Sequence, residues 1–179
     1  SPVAQWGLRF LELAPDAKVL DCGCGGGANM KRLLKKCPNG AVTGIDYSSV
    51  SVEKSKKLNA KTIAEGHCRV LEASVAMLPF EHEEFDVVTA FETVYFWPDL
   101  PQCFQEVYRV LKPGGTFLIC NESNGDTDKD EKWTEIIGGM TIYRDVELKA
   151  VMQEAGFMNI QIHKNPKDWL CIIGQKQKK

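Results

Sequence analysis

The chain has 179 residues, 44% of them hydrophobic and 26% charged, with a formal net charge of −2 at pH 7. That length and balance predict one soluble globular domain with a sizeable core and exclude a disordered chain. The near-neutral charge offers no basic field for nucleic acid or an anionic membrane, and no stretch approaches the ~20 apolar residues of a membrane span.

Residues 2–13 read as a short amphipathic helix, with Val3, Trp6 and Phe10 on one side and Pro15-Asp16 after it. Residues 17–21 read as a first strand, and 28–37 as a helix, because Met30, Leu33, Leu34 and Cys37 follow i, i+3, i+4, i+7 spacing. Pro38-Asn39-Gly40 stops that helix, and 41–46 is a second strand. Ser48 is an N-cap for a polar helix running to 61. Strands follow at 68–73 and 85–91, and a helix at 100–111 carries Leu100, Phe104, Val107 and Leu111 on one stripe. Pro113-Gly114-Gly115 predicts a turn and 116–121 a fifth strand. A polar loop at 124–130 and a short helix at 133–137 precede a helix at 144–155 with Gly156 as its C-cap. Residues 160–163 and 169–174 complete the pattern as an antiparallel pair. Alternating strands and helices predict an α/β, Rossmann-like three-layer sandwich whose ligands bind at the carboxyl ends of the strands. Residues 1–14 are expected to form a lid helix on a single domain spanning 1–179.

The seven cysteines fall within apolar runs and are odd in number, which predicts reduced thiols in a cytoplasmic protein. No signal peptide is visible. Cys22-x-Cys24 has no second Cys/His pair at a suitable spacing, so no metal site is expected.

The stretch that carries chemistry is KVLDCGCGGGAN at 18–29. Asp21 ends the first strand, and Gly23, Gly25, Gly26, Gly27 and Ala28 leave little side chain behind it. Such a run suits a tight strand-to-helix turn that a ligand approaches closely. A second acid, Asp46, ends the second strand 25 positions after Asp21. At that place a carboxylate accepts hydrogen bonds from the hydroxyls of an adenosine ribose. Gly23-x-Gly25-x-x-Ala28 also fits the fingerprint of nicotinamide-dependent dehydrogenases. Asp21 weighs against that alternative, because a carboxylate beside the loop repels a pyrophosphate and attracts a sulfonium or an ammonium.

Three further stretches stand in order: GIDYS from Gly44, LPFEHEEFDVV from Leu78 and RVLKPGG from Arg109. With VLDCGCGGG from Val19, the chain resembles the class I S-adenosylmethionine-dependent methyltransferases of the small methyltransferase domain 11 type. The resemblance implies a seven-stranded, mostly parallel sheet with its last strand antiparallel, S-adenosylmethionine as cofactor and S-adenosylhomocysteine as product. It implies that Gly23, Gly25 and Gly27, with Cys24 among them, line the methionine end, and that Asp21 faces the amino group. Asp46 then holds the ribose, Tyr47 packs beside the adenine, and Ser74 and Val75 lie at the adenine edge. Ser74 departs from the Asp that many relatives carry there.

The resemblance also sets Glu92, within FETVYFWP, beside the methyl-transfer site. Three roles are open to it: general base, substrate anchor or support for the cofactor. Tyr95 stands with it as a catalytic candidate, and Tyr95 and Trp97 either wall an acceptor pocket or pack in the core. Catalysis needs no base where the methyl is already activated and the acceptor is held in line. The partner expected is a small-molecule acceptor, with no nucleic acid and no membrane, for a monomer or homodimer. A nicotinamide-dependent oxidoreductase and a non-catalytic binding module are the alternatives.

Overall fold

A computed structural model describes residues 1–125 and 138–179. The helix expected at 133–137, with Trp133, and most of the loop expected at 124–130 lie outside the described residues.

The elements in chain order are α1 (Pro2–Leu8), β1 (Lys18–Cys22), α2 (Ala28–Lys36), β2 (Ala41–Asp46), α3 (Ser49–Leu58), α4 (Ala60–Ala64) and β3 (Cys68–Glu72). After them come β4 (Phe85–Phe91), a single 3₁₀ turn (Val94–Phe96), α5 (Leu100–Val110), β5 (Leu111–Asn121), α6 (Asp145–Ala155), β6 (Met158–Lys164) and β7 (Leu170–Gln175). The sheet has seven strands in the order β3-β2-β1-β4-β5-β7-β6. The first five are parallel, and β7 enters antiparallel between β5 and β6. The order reverses between β1 and β4, so the carboxyl ends of β1, β2 and β4 face one crevice.

Helices cover both faces. On one side α1, α2 and α3 bury Val3, Leu8, Met30, Leu33 and Val52. On the other, α5 and α6 bury Phe104, Val107, Leu148 and Met152. The Asp99 carboxylate caps α5 by accepting from the Gln102 N–H at 3.3 Å, and Pro101 in the first turn loses no bond by lacking a donor. Phe104 stacks edge-on against Phe117 of β5. Truncating such a fully buried ring to alanine costs about 3–5 kcal/mol.

Arg109, near the end of α5, donates to the carbonyls of Phe80 at 2.8 Å and Leu78 at 3.0 Å, while Glu106 accepts from the Leu78 N–H at 2.9 Å. The stretches LPF and RVLKPGG are therefore joined by hydrogen bonds into one unit at the approach to β4.

Several boundaries differ from expectation, each for a local reason. The helix expected to run from 48 to 61 breaks at Asn59, whose side-chain amide donates to Gly27 O at 3.2 Å and to Ser55 O at 3.1 Å. The turn expected at 113–115 is a bulge within β5: Phe85 and Val87 of β4 face Leu111 and Thr116, leaving the residues between them unpaired on that side.

The first helix stops at Leu8 rather than 13. It is seated directly on β5 and β7: a Cβ added to Gly7 would lie 2.0 Å from the Cys120 Sγ. Val3, Ala4, Gly7 and Leu8 are buried, so α1 is a core helix of this face, and no residue of it lines the cleft described below. Among the described residues, no helix is long and apolar enough to cross a membrane. The seven cysteines are buried free thiols.

Candidate active site

The turn after β1 is built by backbone bonds and by groups from two other elements. Gly23 N–H and Cys24 N–H both donate to the carbonyl of Ile45, at 2.8 and 2.9 Å. The Asp46 Oδ2 accepts from Gly25 N–H at 3.0 Å, and its Oδ1 accepts from Ser48 N–H at 2.9 Å. From α3, the Ser55 hydroxyl donates to Gly25 O at 2.6 Å and the Asn59 amide to Gly27 O. Gly23, Gly25 and Gly27 all have positive φ, at 73°, 53° and 90°. At Gly27 a Cβ would also press on the Asn59 amide and Ser55 Cα, whereas at Gly25 it would meet nothing within 4 Å. Gly27 is thus required by both conformation and space, Gly25 by conformation alone.

Above this turn lies a cleft of about 340 Å³, within the size range of small-ligand sites. It brings together Gly23, Asp46, Tyr47, Ser74 and Val75, five of the residues expected to hold the cofactor. Its opposite wall is the segment after β4, through Thr93, Phe96, Trp97 and Pro98. Thr93 stands against Gly23, with its Oγ1 2.0 Å from where a Cβ on that glycine would be. The lining contains one carboxylate, from Asp46, and no Lys or Arg.

Of the other predicted residues, Asp21, Cys24, Gly25, Gly27, Glu92 and Tyr95 surround the cleft without lining it. Asp21 is 1% exposed beneath the turn, and its Oδ1 accepts from the Thr89 hydroxyl at 2.8 Å. Burial pushes its carboxyl up to about 7; the nearby Asp46 adds to the rise and the Thr89 bond opposes it. Cys24 turns its thiol into the core against Ser55 Oγ, at 3.5 Å, and burial pushes it up to about 12, so only its backbone belongs to the turn. Ser74 accepts from Ala76 N–H at 3.2 Å in a local turn.

Glu92 has a φ of 56°, a left-handed conformation uncommon for a residue with a Cβ. Its Oε1 accepts from the Tyr95 phenol at 2.9 Å and from the Glu122 N–H. The phenol oxygen in turn accepts from Ser123 N–H at 3.0 Å. Burial raises both the Glu92 carboxyl and the Tyr95 phenol. Trp97 is in the core, stacked on Phe117 with ring planes 2° apart, and presents one edge to the cleft.

Ser55, Asn59, Thr89 and Thr93 are the site residues that sequence reasoning missed. A signal existed for two of them. Val52, Ser55 and Asn59 form an i, i+3, i+7 stripe, and a buried stripe carrying polar side chains points to hydrogen-bonded duty.

Sheet order, glycine turn and paired carboxylates define the α/β class that binds S-adenosylmethionine. A family profile described as a methyltransferase domain matches residues 20–119, and the chain belongs to that family. Cycloartenol-C-24-methyltransferase of Arabidopsis thaliana is 36% identical over 124 residues, 68% of this chain and 37% of that protein. The chain thus spans well under half the length of that relative. Among solved structures, geranyl diphosphate C-methyltransferase from Streptomyces coelicolor, crystallised with S-adenosyl-L-homocysteine, superposes with a TM-score of 0.83 at 17% identity, over 97% of this chain and 78% of that one. The [4+2]-cyclase SpnF superposes at 0.80 and 16% identity, over 99% and 82%. At these identities the superpositions establish a shared fold.

Proposed function

We propose that this domain transfers the methyl group of S-adenosylmethionine to a small-molecule acceptor, leaving S-adenosylhomocysteine. The observation that carries this reading is the charge of the cleft, which holds the Asp46 carboxylate and no cationic side chain. A pyrophosphate would meet the Asp46 carboxylate with no cationic side chain to balance it, whereas a sulfonium and an ammonium are attracted there. The cofactor's own carboxylate is met by the amino end of α2, where backbone N–H groups are free of helical partners.

In this reading Asp46 receives the ribose hydroxyls on the lone pairs left over from its bonds to Gly25 and Ser48. Tyr47 and Val75 flank the base, and Ser74 lies at its edge. Gly23, Gly25 and Gly27, with the Cys24 backbone, admit the methionine end, and the buried Asp21 lies below it, its ionised form favoured by a cation above. The bound cofactor supplies an activated methyl group. The chain's part is to orient the acceptor and exclude water, with Glu92 and Tyr95 beside that path.

The relative named for cycloartenol and the neighbour named for geranyl diphosphate, together with the part-exposed Phe96 on the cleft wall, support an acceptor with an apolar body. The near-neutral charge supports a protein that binds neither nucleic acid nor an anionic membrane, the buried free thiols support the cytoplasm, and the shared core supports one domain over 1–179 with α1 as part of it.

Calorimetric titration with S-adenosylmethionine, S-adenosylhomocysteine and NAD tests the cofactor, with binding expected for the first two. Binding of NAD alone overturns the proposal in favour of an oxidoreductase. Transfer of labelled methyl into pooled metabolites separates an enzyme from a binding module.

A further inference from the structure

Glu92 and Tyr95 lie next to the cleft without lining it, and Glu92 Oε1 and the Tyr95 phenol are bonded to other parts of the chain. Glu92 begins the link. Its N–H donates to Cys120 O at 2.8 Å, and its Oε1 accepts from Glu122 N–H, so backbone and side chain both grip the end of β5. Tyr95 continues it. The phenol donates to Glu92 and accepts from Ser123 N–H, while the Tyr95 carbonyl accepts from Thr141 N–H at 2.8 Å. Three separate stretches, at 92–95, 122–123 and 141, therefore meet on these two residues. The next residues along, Phe96, Trp97 and Pro98, are the wall of the cleft. Tyr95 is 3% exposed and rests edge-on against Phe96.

We infer that Glu92 and Tyr95 are positioning residues that hold the 96–98 wall at a fixed distance from the glycine turn, and that they do so through hydrogen-bond geometry and not through charge presented to the ligand. The inference rests on the cofactor reading above. The left-handed backbone of Glu92 fits this role, because strain of that kind persists only where surrounding bonds over-determine it.

The test compares Tyr95→Phe, Glu92→Ala and Glu92→Gln with the unaltered chain, using S-adenosylmethionine and S-adenosylhomocysteine as probes in calorimetry and hydrogen exchange as the structural readout. Glutamine keeps an oxygen that accepts from both Tyr95 and Glu122, so Glu92→Gln is expected to retain both affinities within about twofold. Glu92→Ala and Tyr95→Phe are expected to lose about tenfold for both probes alike. In Tyr95→Phe the Ser123 amide is expected to exchange at least about tenfold faster, while Thr141, held by the backbone carbonyl, stays protected as an internal control. Loss of S-adenosylmethionine affinity in Glu92→Gln with S-adenosylhomocysteine affinity kept would show a charge role and overturn the inference. Unchanged affinities and Ser123 exchange in Tyr95→Phe would overturn it equally. Failure of the unaltered chain to bind either probe would instead remove the cofactor reading on which it stands.

Discussion

Asp46 and Gly25 are joined directly: the carboxylate that ends β2 accepts the backbone N–H of the turn after β1 at 3.0 Å. The acid proposed to hold the ribose is thus also a strut of the loop proposed to hold the methionine end. Asp46→Ala is expected to weaken cofactor binding by roughly 2 kcal/mol or more, through loss of charge-assisted bonds and loosening of the turn. Asp46→Asn keeps one acceptor and is expected to lose less. Calorimetry with S-adenosylhomocysteine reads both, and equal affinities for alanine and the unaltered chain would remove the ribose role.

Gly23 and Thr93 are in direct contact where the two walls of the cleft meet. Gly23→Ala places a methyl group against the Thr93 hydroxyl and onto a backbone with φ of 73°. It is expected to lower the melting temperature and weaken the cofactor together. Thr93→Ala in the same chain is expected to recover only part, because the Thr93 Cβ itself would lie 2.6 Å from the new methyl. Thermal unfolding of the single and double variants checks this.

Asp21 should leave a mark on stability against pH. The unfolded chain releases this proton near the ordinary 3.8, and the fold releases it at about 7, because burial opposes the charge. Between those values the fold holds one more proton than the unfolded chain. Stability contributed by this group therefore falls as pH rises through the window and levels off above it. Asp21→Asn is expected to flatten that slope and to be the more stable protein at pH 8. Urea unfolding from pH 4.5 to 8 measures it; parallel curves for both chains would count against the burial effect.

Asn59 binds two carbonyls while nearly fully buried, at 3% exposure. Asn59→Ala leaves both without this donor and is expected to cost about 1–3 kcal/mol in unfolding free energy. Part of that loss should appear as weaker cofactor binding, since one of the carbonyls belongs to Gly27. Chemical denaturation and calorimetry on the same variant separate the two effects.

Strands β2 and β4 have the bounds that their hydrophobic runs predict, 41–46 and 85–91, because buried parallel strands are continuous and end at polar residues. The contents of the cleft were legible for the same reason: Gly23, Asp46, Ser74 and Val75 each stand at or just beyond a strand's carboxyl end. The Glu92–Tyr95 arrangement was not legible. Its partners are the backbone N–H groups of Glu122 and Ser123, and a backbone donor carries no trace in residue type. The seat of α1 was equally hidden. Its pattern reads as an amphipathic helix in either place, and only the fit of Gly7 onto Cys120 puts it on the sheet.

The insertion of β7 between β5 and β6 has a consequence for a chain made from its amino end. β3, β2, β1 and β4 are all synthesised by residue 91, so the half of the sheet that bears the cleft can assemble early. β5 and β6 emerge next, parallel to one another and not neighbours in the finished sheet, while the strand that must separate them is still to come. Until it arrives, β5 carries an open, apolar edge, the kind of surface on which incomplete chains stick to each other. The vulnerable interval thus opens once β5 is made and closes only when residues 170–175 arrive.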